Sequence, residues 1–301
     1  MGQLLSRRAL VRTVRLAAVL AAFVPAAARG QAVERSIYAT VLDEKGAPVA
    51  AVSPADVVVR EDGISREVLR VGPATEPMEI AVLVDTSAAL APDALPVRDA
   101  LTAFVTKMAV AHRLSIVGFG ERPTVLADAT SDVEALKKGI GLIFPKSNSG
   151  AYMLDAVLEV SRGFQKRETA RPVIVVVLAD GVEFGTFTYD RVLDALKASG
   201  AALFVVDMSR AGAADMRSDE LRNRNILIAR GTDETGGERT NLVSSLGVQQ
   251  ALDTLADRLL NQVRVVYAHP QTLIPPEKVT ITAARPGLTV RGTPVKPAKG
   301  A

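Results

Sequence analysis

Four uninterrupted apolar runs mark the middle of the chain: EIAVLV from Glu79, RLSIVGF from Arg113, RPVIVVVLA from Arg171 and AALFVV from Ala201. Runs of Val, Ile and Leu without polar alternation are the pattern of strands buried on both faces, as in a parallel sheet covered by helices. The segments between them carry helical spacing. Val97, Leu101, Phe104, Val105 and Met108 follow i, i+4, i+7, i+8 and predict an amphipathic helix. Val248, Leu252, Leu255 and Leu259 repeat that spacing before QVRVVY, which ends at Tyr267 and reads as the final strand of the same domain. Strands alternating with helices predict an α/β fold, a doubly wound, mostly parallel sheet over residues 79–267.

On either side the period changes to two. SIYATVLD and DVVVREDGISREVLRV read as short strands separated by turns at Lys45-Gly46 and Asp62-Gly63, within residues 33–78. At the other end, within residues 268–301, KVTITAARPGLTVRGT alternates around Pro286-Gly287. Neither flank is long enough to build a core alone, so the two are expected to join as one small β module.

The first residues have a different character. Arg7, Arg8, Arg12 and Arg15 precede LAAVLAAFVPAAA, an uncharged stretch of 13 residues from Leu16 to Ala28. That is well short of the ~20 residues a bilayer-spanning helix needs and has the form of a signal peptide over residues 1–32. Ala26-Ala27-Ala28 and Gly30-Gln31-Ala32 both offer small-residue cleavage sites. SRRALVR resembles a twin-arginine signal, while arginine pairs also occur in Sec leaders, so either route is open. The expected destination is the periplasm or the extracellular space, without stable membrane insertion after cleavage.

Composition then removes several function classes. Five of the 36 basic residues lie in that leader, so residues 33–301 carry 31 basic against 33 acidic side chains. With aromatics at 4%, no basic and aromatic surface suggests nucleic acid. The chain has no cysteine, which excludes disulfides, a lipobox anchor, thiolate metal sites and cysteine catalysis. Its two histidines, His112 and His269, accompany no Gly-x-Ser-x-Gly, so a serine hydrolase is not indicated. His112 follows a predicted helix, where the C-terminal dipole favours a histidine. A haloacid-dehalogenase-like phosphatase would need an aspartate where Ser87 stands. Asp207-Met208-Ser209 repeats an Asp-x-Ser pattern that reads as a cap, Gly236-Gly237 reads as a helix terminator, and SRAGAADMRSDELRNRN reads as a surface excursion with room for a partner.

Two strand-end aspartates remain, Asp85 after the first apolar run and Asp180 after the third, both placed to face the crevice beyond the sheet. The stretch Asp85-Thr86-Ser87-Ala88-Ala89 resembles the Asp-x-Ser-x-Ser start of the metal-ion-dependent adhesion site in von Willebrand factor A domains. Asp180-Gly181 is similar to the family's Asp-Gly, and GAYMLDAV, set against the family's Gly-Thr-x-Leu-x-Asp-Ala, puts Ala151 in place of its threonine. The flank VLDEKGAPVAAVSPADVVVREDGISREV, with DETGG and the C-terminal tail, resembles a secreted acidobacterial group of such proteins.

The resemblance implies a site for a hard divalent ion, Mg²⁺ or Mn²⁺, held by Asp85, Ser87 and Asp180 and completed by hydroxyls. Ala89 and Ala151 put methyl groups at two hydroxyl positions, which makes the site degenerate; Ser147 and Ser149 are the nearby alternatives. The expectation is an exported, non-enzymatic protein that binds a protein partner, in adhesion or another interaction, with no functional metal and no cofactor. Two alternatives stand beside it: a Mg²⁺- or Mn²⁺-dependent adhesion module with an unorthodox site, and an exported hydrolase using Asp85 and Asp180.

Overall fold

The computed structural model describes residues 32–49, 51–208, 218–271 and 275–296. The leader up to Gln31 and most of the excursion, 209–217, lie outside the described residues. The chain opens with strands β1 (Ala32–Leu42), β2 (Val57–Glu61), β3 (Ile64–Arg66) and β4 (Val68–Pro73). An α/β unit follows: β5 (Glu79–Val84), α1 (Ala94–Met108), β6 (Arg113–Gly118), β7 (Thr124–Thr130), α2 (Val133–Gly141) and α3 (Met153–Arg167). It continues with β8 (Pro172–Leu178), α4 (Tyr189–Ser199), β9 (Ala202–Asp207), α5 (Asp219–Glu234), β10 (Glu238–Asn241) and α6 (Val248–Leu260). The chain closes with β11 (Val263–Pro270), β12 (Val279–Ala283) and β13 (Thr289–Pro294).

The six strands of the α/β unit lie in the order β10-β9-β8-β5-β6-β7, parallel except for β7, which runs antiparallel to β6. Alternate residues of each central strand enter different cores. Ile80, Val82 and Val84 join α1, α2 and α6 on one face, whereas Ala81 and Leu83 join α3, α4 and α5 on the other. Every residue of β8 is buried, which is why its sequence shows no polar alternation. At about 1.5–3 kcal/mol for each large aliphatic side chain buried, the two faces supply the driving force of the fold. The strand order reverses at β5, so the segments that leave β5 and β8 open a crevice at the carboxyl end of the sheet.

The flanks join as expected. In the four-stranded sheet β13-β1-β11-β4, β1 pairs antiparallel with β13 from Ile37↔Pro294 to Leu42↔Thr289, and β12 pairs with β2 in a three-stranded sheet. Ile37, Val41, Val57, Val59, Val265 and Ile281 close a shared core between them. The β2–β3 hairpin turns on Asp62 (φ 48°) and Gly63 (φ 83°), the left-handed pair of a tight hairpin that an Asp-Gly sequence favours.

One strand is placed differently from expectation. QVRVVY does not extend the α/β sheet: as β11 it pairs antiparallel with β1, from Ala32↔Pro270 to Ala39↔Val263, and with β4. Its partly exposed Arg264 between buried Val263 and Val265 is the alternation of a one-sided strand. The α/β sheet instead ends at β10, a four-residue polar edge strand parallel to β9.

Both histidines serve this framework. His112 Nδ1 accepts the Met78 amide at 3.2 Å, and burial, with Arg171 second, pushes its pKa down. It acts as a neutral acceptor for the start of β5, just after the end of α1 at Met108. His269 Nδ1 lies 2.8 Å from Glu61 Oε1, which also accepts Tyr267 Oη at 2.9 Å, while Glu61 Oε2 accepts Arg66 Nε at 2.8 Å. Burial alone would raise the Glu61 pKa, but the bonds from His269, Tyr267 and Arg66 outweigh it and hold the carboxyl below its ordinary value. Arg171, just before β8, fastens the two units together: its Nη1 donates to the carbonyls of Ala74 (3.2 Å) and Glu76 (2.7 Å), and its Nη2 to Gln262 Oε1 (2.7 Å).

Candidate metal site at the carboxyl end of the sheet

Asp85 leaves β5 with its amide bonded to the Val177 carbonyl of β8 at 2.9 Å. Its carboxylate is fully buried, and both oxygens are engaged by loop amides: Oδ1 accepts Ser87 N–H at 2.8 Å and Oδ2 accepts Ala179 N–H at 3.2 Å. Burial pushes the Asp85 pKa up, against these bonds and the nearby positive charge of Arg224. Ser87 heads the 3-10 turn Ala88–Asp93, and its buried Oγ makes no well-aligned hydrogen bond but lies close enough to the Asp85 carboxyl to lower its pKa. Between them Thr86 Oγ1 accepts Gly120 N–H at 2.8 Å. A Cβ on Gly120 would lie 2.1 Å from the Thr86 carbonyl carbon, so only glycine admits this approach.

The Asp180-Gly181 turn rests on this segment. A Cβ built on Gly181 would meet Ala89 Cβ at 2.9 Å and Ser87 Oγ at 3.2 Å. Asp180 itself is exposed. Ala151 is fully buried within the core beneath α3 and zips the loop before α3 to the loop after β8: its N–H donates to Val182 O at 2.8 Å and its carbonyl accepts Phe184 N–H at 2.7 Å. Of the alternative hydroxyls, Ser149 Oγ donates to Lys146 O at 2.7 Å within its own turn, and Ser147 is exposed.

Two side chains complete the site that sequence reading did not single out. Glu183, three residues after Asp180 and 2% exposed, accepts Leu154 N–H at 3.4 Å through Oε1, at the N-terminus of α3, while its Oε2 has no partner. Burial drives its pKa to about 8, with Arg224 acting in the opposite direction. Arg224 enters from α5, 5% exposed, and donates from Nη1 to the Gly181 carbonyl at 2.9 Å; its Nε has no partner. It corrects the reading of DELRNRN as surface: Leu221, Arg224, Leu227 and Ile228 are all buried, and they share one face of the helix. That spacing was the available signal for Arg224; no sequence pattern marked Glu183.

Asp85 has its oxygens on amides, Asp180 is exposed, Ala89 and Ala151 offer methyls, and Arg224 brings a positive charge. Among the described residues no three acidic or histidine side chains converge to hold a metal. His112 and His269 are both engaged in the framework, away from this site.

Residues 80–183 match the family described as the von Willebrand factor type A domain. The match lies within the α/β unit, from β5 to the loop after β8. No curated protein matches the sequence. Among solved structures, the vWF domain of the type V pili tip protein Mfa5 from Porphyromonas gingivalis is similar at 13% identity and TM-score 0.48, over 62% of this chain and 96% of that one. A D319A mutant of the PilB minor pilin from Streptococcus sanguinis is similar at 9% identity and TM-score 0.47, over 62% of each chain. A von Willebrand factor type A protein from Catenulispora acidiphila is similar at 10% identity and TM-score 0.46, over 88% of this chain and 74% of that one. The A-domain match ends at Glu183, so Arg224 and α5 lie beyond it.

Proposed function

We propose that this is an exported, non-enzymatic A-domain protein that engages a protein partner without a divalent ion at Asp85 and Ser87. The observation that carries the reading is the Asp85 carboxylate, closed off by the amides of Ser87 and Ala179, with alanine methyls at the two positions where hydroxyls would complete a metal shell. The charged and apolar leader supports export. Among the described residues no helix is long and apolar enough to cross a membrane. The flanking DEKGAPV and REDG motifs support a place in the secreted acidobacterial group.

Partner contact is supported by the loops around the site. Val182 and Phe184 are about half exposed beside Asp180, and Phe184 meets Tyr152 edge-on at 6.2 Å. Phe144, on the loop before α3, is exposed beneath the Arg98 guanidinium at 4.5 Å. Aromatic and arginine side chains of this kind are enriched where proteins bind one another.

Calorimetric titration of Mg²⁺ and Mn²⁺ into residues 33–301 tests the proposal, with Ser87→Ala as control because it removes the one hydroxyl kept at the expected ligand positions. No heat from either ion is expected. Heat that disappears in Ser87→Ala would overturn the proposal in favour of a metal-dependent adhesion module, the second reading, which the retained Ser87 hydroxyl supports.

A further inference from the structure

Arg224 brings a buried guanidinium to the Asp180–Gly181 turn, within electrostatic range of Asp85 and Glu183. On α5, Leu221, Leu227 and Ile228 fill the apolar face as helix periodicity requires, and a leucine at 224 would continue it. Arginine there buries a guanidinium, a group that stays charged in proteins. Such a charge is stable only beside anions and acceptors. The structure supplies an acceptor, the Gly181 carbonyl at 2.9 Å, and brings Asp85, at the end of β5, within range of the charge; Glu183, on the loop after β8, has its pKa raised to about 8 and adds a neutral carboxyl at neutral pH.

We propose that Arg224 is the resident cation of this site: it supplies from within the chain the positive charge that a divalent ion would supply, and it excludes that ion. This deepens the metal-free reading above and rests on it. The guanidinium has no lone pair to offer a metal, and its fixed charge opposes any cation brought to Asp85 and Ser87. By bonding Gly181 it also holds the Asp180–Gly181 turn against Ser87 and Ala89. The arrangement of the loops that carry Val182 and Phe184 is therefore set by α5 and does not vary with divalent-ion concentration.

The missing hydroxyls alone would also weaken metal binding, so the test separates hydroxyls from charge. Three forms of residues 33–301 are titrated with Mn²⁺, read by water-proton relaxation and by the thermal unfolding midpoint: Ala89→Ser/Ala151→Ser, the same with Arg224→Met, and the same with Arg224→Lys. The Met form is expected to bind Mn²⁺ at least about tenfold more tightly than the other two, the scale on which partners around a metal alter affinity. Equal binding by all three forms, or none by the folded Met form, would overturn the assignment. If the Met form does not fold in ion-free buffer, recovery of its native circular dichroism with Mn²⁺ supports the assignment, and failure to recover overturns it. Mn²⁺ binding by the unaltered chain would overturn the metal-free reading and this inference together; absence there, with equal binding by the Ser/Ser and Met forms, overturns this inference alone.

Discussion

Glu183→Gln should flatten the dependence of stability on pH. The folded chain holds Glu183 protonated up to about pH 8, against an ordinary carboxyl value of 4.5, because burial removes the carboxylate from water and one of its oxygens has no partner. A raised acid pKa means that the folded state binds the proton more tightly than the unfolded one, so stability falls as pH climbs from the ordinary value towards the folded value. At about 1.4 kcal/mol per pH unit, the full difference corresponds to roughly 5 kcal/mol. Between about pH 6 and about pH 9 the part that is lost comes to about 2–3 kcal/mol. Glutamine keeps the Oε1 acceptor for Leu154 N–H at the start of α3 and has no proton to lose in this range. Urea unfolding of both proteins at the two pH values measures the effect, and comparison with the variant cancels the titration of all other groups. The unaltered protein should lose about 2–3 kcal/mol more than Glu183→Gln over that interval. Parallel losses would refute the reasoning, because they would mean that Glu183 is ionised in the folded state at neutral pH.

Three further outcomes follow from the framework. Glu61→Ala leaves Arg66, Tyr267 and His269 without their shared acceptor and should cost about 3–5 kcal/mol in urea unfolding; because the folded Glu61 pKa is lowered, its contribution is present above the ordinary carboxylate range and fades as acid titrates the folded group, and an unchanged acid limb would contradict this. Deleting Lys278 to Ala301 removes β12 and β13 from β2 and β1, so amide exchange from Ser36 to Leu42 should lose protection, and retained protection would show that β11 alone secures β1. Gly120→Ala forces a Cβ against the Thr86 backbone and should lower stability by at least about 1–3 kcal/mol, the usual cost of overpacking, with an unchanged unfolding midpoint counting against the close approach.

Hydrophobic periodicity reports how many faces of an element are buried, and that was enough for most of the fold. β5, β8 and β9 showed themselves because both of their faces are covered. QVRVVY misled for a related reason: a short strand with one covered face and a run of buried Val265, Val266 and Tyr267 has the composition of a two-sided strand. Which sheet it joins depends on β1 and β4, more than 180 residues earlier in the chain. β10 left no apolar trace, since a polar edge strand of four residues buries little.

The site was legible to the same extent and for the same reason. Asp85 and Asp180 stand where strands end, so sequence placed them, but whether an aspartate faces a ligand or a loop amide depends on backbone geometry several residues away. Asp85 is buried on the amides of Ser87 and Ala179, while Asp180 is exposed. Arg224 was hidden in a segment whose charge density suggested solvent. Its position on the Leu221, Leu227 and Ile228 face was nevertheless a warning, because a charged residue on a buried stripe needs an opposite charge in the core. In the assignment proposed above, the strand-end carboxylate and the helix arginine answer each other across the Asp180–Gly181 turn: neither is explained by its own element, and the turn that Arg224 bonds is the one that packs on Ser87.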